Sequence, residues 1–512
     1  MVIESNKDIL NITDLNYFDV FAMLCFRIDS LDENIREKLF DAVDSDLDTY
    51  ILRARKLFPW ISLKGKTSIP TYHDIDGCDV DELLEFSKGN ELDDLGTILG
   101  LISLLDSTMD LSINFKSFIA DKKCRVVSED DDYLSDSFYA FDALNYNTKD
   151  DFGLVLPCVF CEWEKHSDRS LETVAFMPLA LVLKNYLWVP SNSDWKVKNL
   201  FTDMKSVGIG SELISDMPPL KIISSPITNR SPFYAELNKV DREFYIHYQD
   251  IYNEIMLSRM KKVIEYSIRE CADIVVFPEM MGTEYCISSC KDYIGGVASI
   301  KRPKLYILPS REYCKDGQWY NTVDILDEEG DCIFKYNKQH PFLYDHKESG
   351  KKKVTYKEPI VPDNNVCVIH VSGIGRIGII ICSDIFKDGY LQWLINNFKL
   401  TLLLYPVYSH GKDLLVRNLS IAHTFSCDVL MCNTCAAWEN FLIPPADRPN
   451  NDNFDSTFIN MYYPYGHLPS KGGLQTMICD KNECKGCVFV TSICKNYRCD
   501  TCLIEQIGLE GK

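Results

Sequence analysis

The stretch RIGIIICSDIF, residues 376–386, constrains the fold more than any other part of this 512-residue chain. Ile377, Ile379, Ile380 and Ile381 form an apolar run without polar alternation, which suits a strand covered on both faces. A strand of that kind needs a layered domain around it. The run nevertheless ends on Cys382, Ser383 and Asp384, and Asp384 cannot stay unpaired in a sheet interior. Either Cys382 is simply the last buried residue, or the strand holds a thiol at the lip of a pocket.

The flanking sequence supports a layered α/β arrangement. LKIISSPIT, from Leu220, reads as a buried strand, and residues 243–271 carry an amphipathic helix with Ile251, Ile255, Met256, Val263, Ile264 and Ile268. ADIVVFPEMMGT is a short strand broken by Pro278. KLYILPS, the turn CKDGQ, the strand YNTVDILD with its EEG turn, and CIFKYNKQHPF follow. Strand, helix and hairpin alternate as a layered α/β domain requires.

Three of these runs end in a reactive side chain: Glu279 after DIVVFP, Lys338 after CIFKYN, and Cys382 after RIGIII. Brought to one sheet edge, they would suit acyl transfer. The carboxylate takes the thiol proton, the thiolate attacks a carbonyl or nitrile carbon, and the ammonium stabilises the developing charge. Each has an ordinary reading when taken alone: a turn glutamate, a solvated lysine, an inert strand cysteine.

Charge divides the chain. Residues 1–218 hold 40 Asp+Glu against 21 Lys+Arg, a balance of −19, and the remainder hold 35 against 33, a balance of −2. The expected division is therefore an acidic N-terminal domain, 1–218, and a second domain, 219–512. Within the first, 14–58 reads as largely helical, 93–106 as a short buried helix, and 128–136 as a charged loop, giving a mostly helical α+β domain of unknown role. Its acidity argues against nucleic-acid binding by bulk electrostatics and leaves room for a basic protein partner. No apolar run approaches the roughly 20 residues that span a bilayer. The N-terminus shows no basic region followed by an apolar core, and 21 scattered cysteines read as reduced thiols, so a cytoplasmic location is expected.

Taken in order, ADIVVFPE, YNKQH and GRIGIIICSD resemble the three motifs of the carbon–nitrogen hydrolase (nitrilase) superfamily, with Lys338 59 positions after Glu279 and Cys382 44 positions after Lys338. WYNTVDILDEEGDCIFKYNKQH, LLLYPVYSHG and CDVLMCNTCA resemble further parts of that family, and the resemblance covers about 220–505. It implies a four-layer α-β-β-α sandwich that forms homo-oligomers. It also implies a Glu279–Lys338–Cys382 triad that hydrolyses an amide, or less typically a nitrile, through a thioester, with no cofactor and no metal. Ser383 would supply an oxyanion-binding N–H, Asn433 would sit beside the substrate on a later strand, and Asp384 would be structural.

One departure concerns the family's second glutamate. In HPFLYDHKESGKKKVTYKEPIVPDNN neither Glu348 nor Glu358 stands at a convincing position, and Glu348 is preferred as a substrate-side carboxylate, with a surface loop residue the competing reading. The Pro- and Tyr-rich segment 438–470 reads as a pocket wall or a dimer contact. Cys158 and Cys161 form a lone CxxC, read as buried strand cysteines. Cys484, Cys487, Cys499 and Cys502 have a spacing close to a zinc ribbon, against a reading as packing cysteines of a terminal hairpin. Function stays open between a working C–N hydrolase and a nitrilase-like scaffold binding a protein partner. The company such domains keep leaves bacterial antiviral defence as a setting for the second.

Overall fold

The computed structural model describes residues 17–58, 85–107, 125–127, 134–140, 152–157, 179, 182–183, 186–191, 194–202, 220–298, 301–347, 353–371, 374–410, 415, 427–438, 440–444, 447, 458–463, 475–478, 486–496 and 499–508. Two compact units emerge. The second contains the strands Arg125–Val127 and Leu134–Ala140 together with everything described from Trp195 onward. The first contains the rest. Among the described residues no helix is long and apolar enough to cross a membrane.

The first unit has helices Tyr17–Asp29, Glu33–Leu57 and Leu92–Ser107, and an antiparallel pair of strands, Leu154–Pro157 and Tyr186–Val189. Leu92–Ser107 is buried nearly all round, through Leu95, Ile98, Leu99, Leu101, Ile102, Leu104 and Leu105. Its glycines let it lie unusually close to Glu33–Leu57: a Cβ on Gly100 would stand 2.4 Å from the Tyr50 carbonyl oxygen. Asp106, at the buried end of the helix, accepts the Tyr186 backbone N–H at 2.9 Å and so ties helix to strand.

The second unit is mixed α/β, built on two large sheets. One runs Arg125–Val127, Leu134–Ala140, Lys196–Thr202, Asn365–Val371, Gly375–Ile379, Leu402–Pro406, Asp428–Cys432, Phe458–Tyr463, Gln475–Ile478. The other runs Arg311–Lys315, Gln318–Leu326, Leu305–Ile307, Ile274–Val276, Leu220–Ser224, Cys487–Asn496, Cys499–Gly508, with Cys332–Asn337 also on Gln318–Leu326. Each has a parallel centre. Gly375–Ile379, Leu402–Pro406 and Asp428–Cys432 run in one direction, as do Leu220–Ser224, Ile274–Val276 and Leu305–Ile307. These are the strands whose sequences lack alternation, as burial on both faces requires.

Helices Asn253–Arg269 and Glu284–Gly296 cover the second sheet with Met256, Met260, Val263, Ile264, Ile287 and Ile294. The other face of that sheet meets the first: the Cys432 thiol donates to the Val276 carbonyl at 3.5 Å, and Lys198 Nζ donates to the Ile333 carbonyl at 3.1 Å. A smaller four-stranded sheet (Leu343–His346, Val354–Lys357, Glu243–Tyr248, Phe233–Asn238) has its own core of Phe233, Phe244, Ile246, Met280 and Tyr356.

The compact units divide at Asp194/Trp195 rather than at the 218/219 position expected from charge. Lys196–Thr202 pairs in parallel with Asn365–Val371 over seven residues, which places it in the second unit despite its position before the charge boundary. The four-cysteine zinc arrangement is also resolved by register. Cys499 pairs with Asn496 and Cys502 with Ile493, whereas Cys487 pairs with Gly508 at the far end of the hairpin. Ile493 lies six residue steps along the strand from Cys487, about 20 Å at strand rise, too far for one tetrahedral ion. Cys484, Cys158, Cys161, residues 128–133 and most of 438–470 lie outside the described residues.

Candidate active site

Each of the three strand ends stops for a local reason. After Ile274–Val276, Phe277 N–H still reaches the Ile307 carbonyl at 3.0 Å, but Pro278 has no N–H and the ladder ends there. Glu279 follows, only 2 % exposed. Lys338 is the first residue past Cys332–Asn337, its backbone N–H on the Asn321 carbonyl at 2.8 Å. Gly375–Ile379 runs through Ile380 and Ile381 into Cys382, whose φ of +37° turns the chain sharply. A left-handed cysteine is strained, and strain of this kind collects at functional sites.

The Lys338 ammonium donates to Glu279 Oε1 at 2.7 Å and to Glu358 Oε2 at 2.8 Å. All three side chains are 2 % exposed. Asn321 links the same carboxylates, donating through Nδ2 to Glu279 Oε1 at 3.1 Å and to Glu358 Oε1 at 3.0 Å. Tyr408 N–H donates to Glu279 Oε2 at 3.0 Å, and Phe342 N–H to Glu358 Oε2 at 2.7 Å. The Cys382 thiol donates weakly toward the Tyr408 carbonyl oxygen at 3.9 Å, and it lies near enough to the Glu279 carboxylate for each group to act on the other's protonation.

The electrostatics follow from burial and this geometry. Burial opposes the Lys338 ammonium, but Glu279 and Glu358 outweigh it and hold its pKa well above the ordinary lysine range. Burial pushes the Glu279 carboxyl up, Lys338 pulls it down and Glu358 pushes it up again, leaving it raised. Burial works against Glu358 too, yet Lys338 and the donors around it keep it below the usual carboxylate range. The Cys382 thiol is pushed well up by burial and by Glu279, with Lys338 opposing. At rest this sulfur is a thiol.

Asp384 supports the turn. Its Oδ2 accepts from Ile381 N–H at 2.9 Å and from Tyr336 Oη at 2.7 Å, and its Oδ1 from the N–H groups of Gln339 at 2.6 Å and His340 at 2.8 Å. One buried carboxylate thus joins the cysteine turn to the segment that follows Lys338.

The other sequence candidates fall as follows. Ser383 sits in the turn, its hydroxyl on the His340 carbonyl. Asn433 donates to the Ser409 carbonyl at 2.7 Å and accepts Ser409 N–H at 3.1 Å, fixing the loop whose preceding residue, Tyr408, serves Glu279. Glu348 lies outside the described residues; the carboxylate that reaches Lys338 is Glu358. Asn321 was legible only as part of the Tyr-Asn mark in WYNTVDILD. Glu358 gave no local signal, because the small sheet, not the adjacent sequence, carries it back to Lys338.

No protein-family model matches the sequence, and no curated protein matches it either. Among solved structures the chain is similar to an amidase from Nesterenkonia sp., at 16% identity and TM-score 0.31, over 44% of this chain and 80% of that one. It is similar to the C. elegans NitFhit protein at 17% identity and TM-score 0.35, over 57% and 61%. Saccharomyces cerevisiae Nit3, a member of branch 10 of the nitrilase superfamily, matches at 18% identity and TM-score 0.27, over 43% and 78%.

Proposed function

We propose that the second unit is a carbon–nitrogen hydrolase of nitrilase type, its two sheets and their helices forming a four-layer α-β-β-α sandwich, acting on amides rather than nitriles. The observation that carries this reading is the cluster at one sheet edge: Glu279 on an ammonium that a second carboxylate also holds, with the Cys382 thiol joined to the same group through Tyr408, whose N–H meets Glu279 and whose carbonyl meets the thiol. A structural ion pair needs no thiol on a strained turn beside it.

The reaction balances on these groups. Glu279 accepts the Cys382 proton as sulfur bonds to the substrate carbon, and the carbonyl electrons move to oxygen. Lys338 and the Ser383 N–H stabilise that oxyanion. Glu279 then protonates the nitrogen, the C–N bond breaks, and ammonia or an amine leaves a thioester on Cys382. Water attacks the thioester, giving its proton to Glu279, which returns it to sulfur as the acid departs. Glu358 and Asn321 hold Lys338 and Glu279 in place throughout. The substrate is a small molecule, and the active form is a homo-oligomer.

Ammonia release from the purified chain across amides, ureides and nitriles tests this reading. Turnover that disappears in Cys382→Ala supports it. Equal release from wild type and Cys382→Ala, or none on any of the three classes, removes it and leaves the scaffold reading with a protein partner.

A further inference from the structure

Glu312 is a carboxylate that the proposed reaction does not use. It lies on Arg311–Lys315, opposite Asn321 in the antiparallel register, and is 7 % exposed. Among the described residues no donor reaches either of its carboxylate oxygens. Its neighbour Arg311 is committed elsewhere, to Glu284 at 2.7 Å and Asp324 at 2.9 Å. Tyr248 faces it as a buried neutral phenol, whose oxygen accepts Glu312's own backbone N–H at 3.3 Å. The charged groups acting on it are Glu358, Lys338 and Glu279.

Three buried carboxylates therefore share the field of one ammonium, which bonds two of them, Glu279 and Glu358, directly. If all were ionised the cluster would carry a net charge of −2 away from water, with Glu312 unsolvated and unpaired, a state that burial makes very costly. Glu358 is the group that acts most strongly on Glu312, and two carboxyls can hydrogen-bond to one another only when one of them is protonated. Glu358 already accepts from Lys338, Asn321 and the Phe342 N–H, so it is the natural anion of the pair. The proton belongs on Glu312.

We propose that Glu312 is a further positioning residue of this site, a neutral carboxylic acid whose hydroxyl donates to Glu358, so that the two share one proton and Glu358 is fixed as the partner of Lys338. The proton pair stands on the geometry of the cluster; its role in the reaction rests on the hydrolase reading. Burial and Glu358 both favour the protonated form of Glu312. Above the pH at which it ionises, the added negative charge would oppose both the Cys382 thiolate and the substrate oxyanion.

The test uses the full chain and Glu312→Gln, whose neutral amide keeps an N–H for Glu358. Infrared spectra near neutral pH are expected to show a protonated-carboxyl C=O band that Glu312→Gln removes and Glu358→Gln shifts. If Glu312→Gln removes no such band, the pair does not exist. Alkylation of Cys382 by iodoacetamide, itself a small amide, is then followed by peptide mass spectrometry across pH. Glu312→Gln is expected to match wild type near neutrality and to exceed it on the alkaline side by on the order of tenfold, equivalent to one unit of thiol pKa. Superimposable profiles overturn the positioning role. A wild-type Cys382 whose labelling ignores Lys338→Ala counts against the hydrolase reading, while the infrared band independently decides the pair.

Discussion

The Lys338 ammonium lies 2.7 Å from Oε1 of Glu279, with both side chains almost wholly removed from water. A pair at that depth is held by its geometry, because desolvation of each ion costs several kcal/mol that only close opposite charge and full hydrogen bonding offset.

Lys338→Ala should therefore cost stability as well as turnover. Removing the ammonium leaves Glu279 and Glu358 buried without their cation, and breaking a buried pair in this way destabilises by about 3–5 kcal/mol. Denaturant unfolding of the purified variant measures the first effect, and ammonia release on any accepted substrate the second. A variant as stable as wild type would mean that the carboxylates are not held as described.

Glu358→Gln keeps an oxygen for Lys338 but removes the charge. Turnover should fall on the order of 10²-fold with KM little moved, since the change acts on the ammonium that stabilises the transition state. Steady-state kinetics decide; a rise in KM alone would place Glu358 on the substrate instead.

Burial pushes the Asp384 carboxyl up, from its ordinary 3.8 to about 6, against the pull of its four donors. A folded pKa above the unfolded one means stability fully present below pH 3.8 and lost as pH rises through about 6. Unfolding free energies of wild type and Asp384→Asn, measured at several pH values across this window, should draw together as pH rises. A gap that is constant or widens would show that the carboxylate is ionised throughout.

Iodoacetamide in limiting amount should label exposed Cys271 and Cys314 first, then Cys382, and only later the buried Cys286, Cys290 and Cys432. The order differs from the one that strand-end position alone suggests, because Cys382 is both covered and protonated at rest. Peptide mass spectrometry over a time course reads the order. Cys382 labelling no faster than Cys432 would mean that neither Lys338 nor Glu279 activates it.

In the first unit, Gly100→Ala should destabilise by about 1–3 kcal/mol, because the new methyl meets the Tyr50 carbonyl rather than a side chain that can turn away. That outweighs the roughly 0.5–1 kcal/mol a helix gains when glycine becomes alanine. Gly296→Ala, with nothing within 4 Å of the added carbon, is the control. Circular dichroism during urea unfolding compares them.

Glu279 and Cys382 follow apolar runs that read as buried strands, whereas Lys338 follows the mixed strand CIFKYN. Taken alone each reads as ordinary, and it is the order of the three motifs, in their resemblance to one family, that set them together. Glu358 and Glu312 were not legible. Glu358 follows the strand Val354–Lys357, whose mixed VTYK sequence carries no apolar signature, and its place is set by the small sheet. Glu312 precedes the turn CKDGQ and looks like a surface residue until Arg311–Lys315 is paired with Gln318–Leu326. The charge boundary at 218 failed to mark the units for a related reason. Net charge describes what a surface presents to solvent and says nothing about which strands pair, so Lys196–Thr202 went unnoticed.

The separations within the cluster also bear on how the chain reaches this state. Lys338 meets Glu279 across 59 residues of sequence and Glu358 across 20. Contacts over such spans close large loops, and the entropy of closure is lost before the contact gives anything back. Until both segments arrive, the ammonium remains better off in water, so the cluster is expected to add little to the folding nucleus. Lys338→Ala should speed unfolding and leave the folding rate nearly unchanged in stopped-flow measurements, and an equal slowing of folding would overturn this. Interactions made that late weigh on the rate of unfolding far more than on the rate of folding. The charged knot at the sheet edge is a kinetic latch: it does little to start the fold and much to keep it from opening.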